Sequence, residues 1–131
     1  MKRMLVLFML ILLILNGCGE TAEKGTYQQI TQEEAKHIME TQNVIVIDVR
    51  EKDEFDSGHI PNAVLLPVGQ ISKDTAAAVI PNLDTVVLVY CRSGNRSKQA
   101  AEKLANLGYT NIVEIGGVKD WPGDLVIIGE E

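Results

Sequence analysis

Apolar and polar positions along the chain follow a helical period in some segments and the period of buried strands in others. Apolar residues after Thr31 recur at helical spacing up to about Thr41, and Thr31 forms a capping box with Glu34. The β-branched run at 44–49 is interrupted only by Asp48, which predicts a strand buried on both faces. The same criteria predict a strand at 63–66, a helix at 71–80, a strand at 85–90, a helix at 97–107 and a strand at 111–115.

The order of these elements indicates the fold class. Strands that are separated by helices of about ten residues pair in parallel through right-handed crossovers. We therefore predict a three-layer α/β domain at 27–131, with a mainly parallel central sheet and helices on both faces. The predicted elements contain no internal repeat and fill a single core, which excludes a multi-domain chain.

The first 17 residues have the pattern of a cleaved signal peptide. Lys2 and Arg3 are followed by 12 apolar residues at 4–15, and Asn16-Gly17 then precedes Cys18. As a helix the apolar run would span about 18 Å, which is well short of the roughly 30 Å of a bilayer core. We therefore expect the segment to be removed rather than retained as a membrane span.

The end of this leader resembles the lipobox of bacterial lipoproteins, with Leu15, Gly17 and Cys18 matching and Asn16 departing from it. The resemblance implies that Cys18 is acylated and becomes the N-terminus, so that the protein is anchored to a membrane of the bacterial cell envelope, outside the cytoplasm. The small and polar residues at 18–26 would form a short lipidated tether. The alternative is an ordinary secretory leader with an incidental cysteine.

Charge and cysteine content limit the partners. The chain has 12 basic and 18 acidic residues, and loss of Lys2 and Arg3 with the leader changes the net charge from -6 to -8. Nucleic acids and anionic lipid surfaces require clustered Lys and Arg, which argues against both as main partners. Two cysteines cannot form a disulfide framework, and the mature domain offers no metal site of the usual ligand spacing.

The candidate chemistry lies where the predicted strand at 85–90 ends. Function collects at the carboxyl ends of the strands in such sheets, and Cys91 opens the loop 91–96 between this strand and the next helix. The helix N-terminus, the N–H groups of a tight glycine-containing loop and the guanidinium groups of Arg92 and Arg96 would all favour a thiolate. They would also hold a small polyanion against the sulfur. The alternative is a buried cysteine that acts only as a small apolar residue.

Three blocks of the chain resemble a single-domain rhodanese. The first is the six-residue active-site loop, the second is an I-D-V-R-E, E-F and G-H-I-P-N-A series, and the third is a C-terminal G-G-x-x-x-W. They occur in family order and cover roughly Tyr27 to Ile128. The matching residues are Cys91 to Arg96, Ile47 to Glu51, Glu54-Phe55, Gly58 to Ala63, Pro67, Gly116-Gly117 and Trp121. The chain departs from many relatives after Trp121, where their tail is longer and more helical, and this leaves open how the last segment docks.

The resemblance implies a sulfurtransferase that works in two steps. The Cys91 thiolate would take sulfane sulfur from a small anionic donor such as thiosulfate, and the persulfide would pass it to a thiol or to cyanide. No cofactor is implied, and we expect a monomer. The residues implied for binding the donor and the charged sulfur are Arg92, Ser93, Gly94, Asn95, Arg96 and Ser97, with Arg96 ahead of Arg92 as the ligand of the donor.

Other polar residues have two interpretations. Asp48 ends a buried strand and needs a cationic partner, which either Arg50 or an arginine of the Cys91 loop could supply. Asp48 and Arg50 either orient the Cys91 loop or form a structural ion pair. His59 is expected to fix a turn by hydrogen bonding rather than to take part in chemistry. The acidic cluster is expected to form a solvated face; it comprises Glu51, Asp53, Glu54 and Asp56.

Two other functions compete with sulfur transfer. Cysteine phosphatases and arsenate reductases carry the pattern C-x-x-x-x-x-R, with five residues between the cysteine and the arginine. In this chain only four residues separate Cys91 from Arg96. The shorter loop favours a sulfur atom on the cysteine over a tetrahedral phosphate. The other alternative is a non-catalytic module that binds anions or carries a persulfide for a partner. The retention of Cys91 together with both arginines argues against this alternative.

Overall fold

The computed structural model describes residues 25–129. The predicted signal peptide, Cys18 and most of the predicted tether lie outside the described residues, as do Glu130 and Glu131. Within the described range, no helix is long and apolar enough to cross a membrane.

A five-stranded sheet, parallel throughout, forms the centre of the domain. The strands follow the order β1-β5-β4-β2-β3 across the sheet. The central strand β4 is therefore flanked by β5 and β2, and each of its residues is buried. The strands are β1 (Gln28–Gln29), β2 (Ile45–Asp48), β3 (Val64–Leu65), β4 (Val87–Cys91) and β5 (Ile112–Gly117).

Helices cover both faces of this sheet. Residues of α3 and α4 pack with Val87, Val89 and Cys91 on one face, and α1 packs through Ala35 against Leu88 on the other face. The predicted α/β fold with helices on both faces is confirmed. The helices are α1 (Gln32–Thr41), α2 (Lys52–Asp56), α3 (Lys73–Val79) and α4 (Asn95–Asn106), with short 3-10 turns at Val68–Gln70 and Val118–Asp120.

The structure corrects the prediction in several places. Strand β4 includes Cys91 and strand β5 includes Gly116 and Gly117, so both strands extend beyond their predicted ends at 90 and 115. Helix α4 begins at Asn95 rather than near Ser97, because Gly94 adopts φ +103 and ends the preceding loop there. Strand β1 is a polar, exposed pair at the sheet edge and carries no hydrophobic pattern. Helix α2 forms from the acidic cluster, where Glu51 and Glu54 make a reciprocal capping box.

The last segment docks beside α2. Val126 and His59 form an antiparallel bridge through two backbone hydrogen bonds, and the N–H of Ile128 donates to the carbonyl of Asp56 at 2.9 Å. The side chains from Leu125 to Ile128 remain exposed. Backbone pairing, rather than side-chain burial, therefore holds this segment.

Candidate active site

Cys91 lies at the carboxyl end of the central strand, directly before the loop that leads into α4. Its side chain is only 1% exposed, because it occupies the strand position that faces α3 and α4. The loop of Arg92, Ser93 and Gly94 turns the chain sharply enough for the first turn of α4 to face the sulfur. The strand–loop–helix arrangement predicted for this cysteine is thus present.

Hydrogen bonds to the sulfur act against the effect of its burial. The N–H of Gly94 donates to Sγ at 3.0 Å, and Sγ lies 3.4 Å from the hydroxyl oxygen of Ser97. Burial by itself raises the pKa of the Cys91 thiol, whereas the Ser97 hydroxyl and the N–H groups of Ser97, Gly94 and Ser93 lower it. The hydrogen bonds outweigh burial, so the pKa of Cys91 lies below its ordinary value.

The two glycines that end β5 seat this loop. A Cβ atom at Gly117 would lie 2.1 Å from the carbonyl oxygen of Arg92, so a larger residue cannot occupy that position without moving the loop. The N–H of Lys119 donates to the same carbonyl at 3.3 Å. Gly116 has φ +87, a conformation that L side chains rarely adopt. The G-G block therefore supports the Cys91 loop from the neighbouring strand.

The two arginines of the loop have different surroundings. The terminal nitrogens of Arg96 donate to the two carboxylate oxygens of Glu54, each at 2.8 Å. The Arg96 side chain is thereby held between α4 and α2, and this hydrogen bonding lowers the pKa of Glu54 to about 2. The interpretation of the acidic cluster as a solvated face is wrong for Glu54. Arg92 is exposed, as are Ser93 and Asn95.

Asp48 and Arg50 form a buried ion pair with each other. The guanidinium donates to both oxygens of Asp48, with its shortest bond at 2.7 Å, and also to the carbonyl of Gly58 at 2.7 Å. Arg50 lies over the ring of Tyr90, at 5.7 Å from its centroid. The pair therefore reaches Cys91 only through the preceding residue of β4, and its contacts serve the connection from β2 to β3.

His59 holds a turn. Its Nδ1–H donates to the carbonyl of Phe55 at 2.9 Å, and its ring stacks on that of Phe55 with the centroids 3.7 Å apart. His37 is exposed on α1. Within residues 25–129, no group of three or more potential metal ligands lies close together.

Sequence reasoning missed one buried residue next to the site. Glu114 of β5 is 3% exposed, and its Oε1 accepts a hydrogen bond from the Ser97 hydroxyl at 2.6 Å. The sequence implies Ser97 only as one of the residues that bind the donor and the charged sulfur, whereas in the structure its side chain connects Cys91 to Glu114. The available signal was a single carboxylate within the apolar run at 111–115.

The parallel α/β domain thus places a hydrogen-bonded thiol with a lowered pKa at the carboxyl edge of its sheet, an arrangement suited to a cysteine nucleophile. The profile of the rhodanese-like domain family matches residues 31–124 of this chain. The chain belongs to the rhodanese-like family, as its three sequence blocks predicted.

Individual relatives agree with this assignment. The chain is 36% identical to the thiosulfate sulfurtransferase PspE of Escherichia coli over 74 residues, which cover 56% of this chain and 70% of that protein. It is 30% identical to the thiosulfate sulfurtransferase GlpE of Coxiella burnetii over 96 residues, covering 72% and 87%. A solved structure of a rhodanese with anions from E. coli superimposes with a TM-score of 0.61 at 33% identity, covering 65% and 99%.

The regions that match this chain make up 22%, 41% and 56% of the lengths of three other curated relatives. At the level of the family, the chain is a rhodanese-type sulfurtransferase.

Proposed function

We propose that this protein transfers sulfane sulfur from thiosulfate, or a similar anionic donor, to a thiol or cyanide through a persulfide on Cys91. The Cys91 thiolate attacks the outer sulfur of thiosulfate, so that a new S–S bond forms while the bond to sulfite breaks. The acceptor then attacks the terminal sulfur of the persulfide and releases the Cys91 thiolate. Charge and sulfur balance in both steps without an oxidant or reductant.

The surroundings of Sγ carry this proposal. A thiol with a lowered pKa beside the N–H of Gly94 is prepared both to attack and to bear a negatively charged terminal sulfur. Arg96, oriented by Glu54, supplies a cation at the start of α4 for the anionic donor. The four-residue spacing from Cys91 to Arg96 favours this chemistry over phosphate transfer.

Mass spectrometry tests the persulfide directly. Full-length protein treated with thiosulfate should gain one sulfur atom on the Cys91 peptide, and dithiothreitol should remove it. The matched Cys91→Ala variant should gain none. A sulfur adduct that persists in Cys91→Ala would contradict the proposal.

A thiocyanate assay with cyanide as acceptor then tests turnover. Multiple turnovers by the wild type support the enzyme. A persulfide that forms but is not passed to cyanide or to a small thiol would instead favour the persulfide-carrier function. Cys91 is the free cysteine of the described residues. If Cys18 is acylated, as we propose below, the sulfur would be removed by another molecule rather than by an internal resolving thiol.

We also propose that the protein is attached to a membrane of the bacterial cell envelope by acyl chains on Cys18. The leader pattern at residues 1–17 supports this location. A tether of about eight residues would enter the domain near Gly25, whose N–H donates to the side chain of Asn106 at the end of α4, whereas the Cys91 loop lies at the start of that helix.

A further inference from the structure

Glu114 is a buried carboxylate at a position where the fold calls for an apolar side chain. Alternation along β5 places it on the same sheet face as Ile112, which packs in the core against α4. Its hydrogen-bond partners are the Ser97 hydroxyl, the Gly116 N–H at 2.8 Å and the Gln29 amide at 3.1 Å. All three are neutral, and Glu114 forms no ion pair with another residue of the range 25–129. A buried carboxylate without a cation is costly, so packing does not explain its presence.

Ser97 connects this carboxylate to the reactive sulfur. Its side chain is fully buried, and its oxygen lies 2.6 Å from Oε1 of Glu114 and 3.4 Å from Sγ of Cys91. A separation of 2.6 Å is typical of a hydroxyl that donates to an ionised carboxylate. The Ser97 hydroxyl also lies 2.9 Å from the carbonyl oxygen of Gly94, but its contact with Glu114 is shorter. In the resting thiol form, the proton of Cys91 therefore points to Ser97, and Glu114 is the nearest acceptor for the proton of Ser97.

The thiolate form requires the opposite arrangement. A serine hydroxyl has a single proton, so Ser97 stabilises the Cys91 thiolate only by turning that proton towards Sγ. Its oxygen would then face Oε1 of Glu114 at 2.6 Å with no proton between them, unless Glu114 itself carries one. The single proton of Ser97 thus provides a path by which a proton could pass between Cys91 and Glu114.

We propose that Glu114 is a positioning residue that accepts the proton of Cys91 through Ser97 and stores it while the sulfur is charged. This inference rests on the proposed sulfur transfer and deepens it. The S–H proton moves to Ser97 and the Ser97 proton moves to Glu114, so a thiol and a carboxylate become a thiolate and a carboxylic acid. No net charge enters the buried site, which avoids placing two anions on either side of one hydroxyl.

The stored proton has a use at the end of the cycle. The thiolate attacks the donor, sulfite leaves, and the persulfide bears its negative charge on the outer sulfur, farther from Glu114. When the acceptor removes that sulfur, Cys91 leaves as a thiolate. Glu114 then returns the proton through Ser97, and the resting thiol and carboxylate are restored.

Few other charged groups face this chain of hydrogen bonds. Arg96 on α4 interacts electrostatically with Cys91, and Glu54 of α2 is bound to Arg96. From β1, the neutral amide of Gln29 faces Glu114. Glu114 is therefore the carboxylate in position to exchange a proton with Cys91.

The rate of Cys91 alkylation by iodoacetamide as a function of pH tests the proposal without requiring sulfur transfer. Full-length protein is alkylated between about pH 5 and pH 9, and only the Cys91 peptide is quantified. In the wild type, the proton is shared between Cys91 and Glu114. The alkylation rate should therefore stay constant over a range of pH, a plateau that is bounded by two ionisations of the pair. Glu114→Gln keeps the shape of the side chain but removes the proton acceptor. The alkylation rate of this variant should therefore follow the ionisation of Cys91 alone and fall about tenfold per pH unit below the pKa of that ionisation. Glu40→Gln, an exposed carboxylate on α1, is the matched control and should keep the plateau.

Variants of Ser97 provide the second arm. Ser97→Ala should also lose the plateau, Ser97→Thr should retain it, and the Ser97→Ala/Glu114→Gln double variant should match either single variant. If Glu114→Gln does not fold, as judged by circular dichroism, Ser97→Ala decides alone. A wild type with one ionisation, or a plateau that survives in Glu114→Gln or Ser97→Ala, would overturn the proposal. A lost plateau in a protein that never forms a persulfide would instead refute the sulfur transfer alone.

Discussion

Glu54 and Arg96 form a two-pronged ion pair in which each terminal nitrogen of the guanidinium lies 2.8 Å from a carboxylate oxygen. This pairing joins α2 to the first turn of α4 through two residues that are 42 positions apart in sequence. Because a planar guanidinium is fixed by two parallel hydrogen bonds, Arg96 is oriented before any donor binds. Its remaining N–H groups stay available to an anion.

Removal of Arg96 should weaken the use of thiosulfate. We expect Arg96→Ala to lower kcat/KM by about 100-fold, equivalent to about 2.7 kcal/mol of transition-state stabilisation. Arg92→Ala should do less, because Arg92 is exposed. Arg96→Lys should recover part of the loss, since it keeps the charge without the planar fork. Steady-state kinetics with thiosulfate tests this prediction. A larger loss of kcat/KM in Arg92→Ala than in Arg96→Ala would contradict the assignment of Arg96 as the ligand of the donor.

The Glu54–Arg96 pair should stabilise the fold in a pH-dependent way. Arg96 lowers the pKa of Glu54 from its ordinary value of 4.5 to about 2. The contribution of the pair is therefore complete above the unfolded value and is lost as the pH falls through about 2. Glu54→Gln should reduce the free energy of unfolding by about 1 kcal/mol at neutral pH, and less as the pH falls. Urea denaturation at several pH values measures the difference in the free energy of unfolding between the wild type and Glu54→Gln. A difference that does not change with pH would contradict the prediction.

Breaking the Asp48–Arg50 pair should cost more than removing it altogether. Asp48→Ala leaves the Arg50 guanidinium, which is 4% exposed, without its partner, and should lower the free energy of unfolding by about 3 kcal/mol or more. In Asp48→Ala/Arg50→Met the buried charge is absent, so the loss should be smaller than that of Asp48→Ala alone, and smaller than the sum of the single changes. Urea denaturation of the three variants completes this cycle. Strict additivity would show that the pair is not coupled.

The close approach of Gly117 to the loop should make it intolerant of a side chain. A Cβ atom there would meet the Arg92 backbone at 2.1 Å, so Gly117→Ala should displace the loop and lower thiosulfate turnover by about tenfold or more. Gly69→Ala is the matched control, because a Cβ at Gly69 has no atom within 4 Å. Equal turnover in both variants would show that the loop does not depend on this contact.

The lipid anchor can be tested by metabolic labelling. Cells grown with a labelled fatty acid should incorporate the label into the wild type but not into Cys18→Ser. The mature wild type should also lack residues 1–17. Equal labelling of both proteins, or a wild type that retains Met1, would contradict the lipoprotein prediction.

Local patterns predicted most of the fold. Strands β2, β4 and β5 are buried on both faces, so their apolar runs were recognisable without knowledge of their neighbours. The two elements that were missed, β1 and α2, are short and polar. They exist because the sheet edge and the capping box stabilise them, and neither leaves a hydrophobic pattern.

The chain by itself determined the position of Cys91 between a buried strand and a helix start, since both follow from local periodicity and turn chemistry. Only the tertiary structure decided which groups meet there. It paired Arg96 with Glu54, and it paired Asp48 with Arg50 rather than with an arginine of the Cys91 loop. It also brought Glu114 to Ser97, 17 residues away in sequence. Such partners come from different elements that the parallel sheet aligns at one edge, and no local pattern encodes that distance.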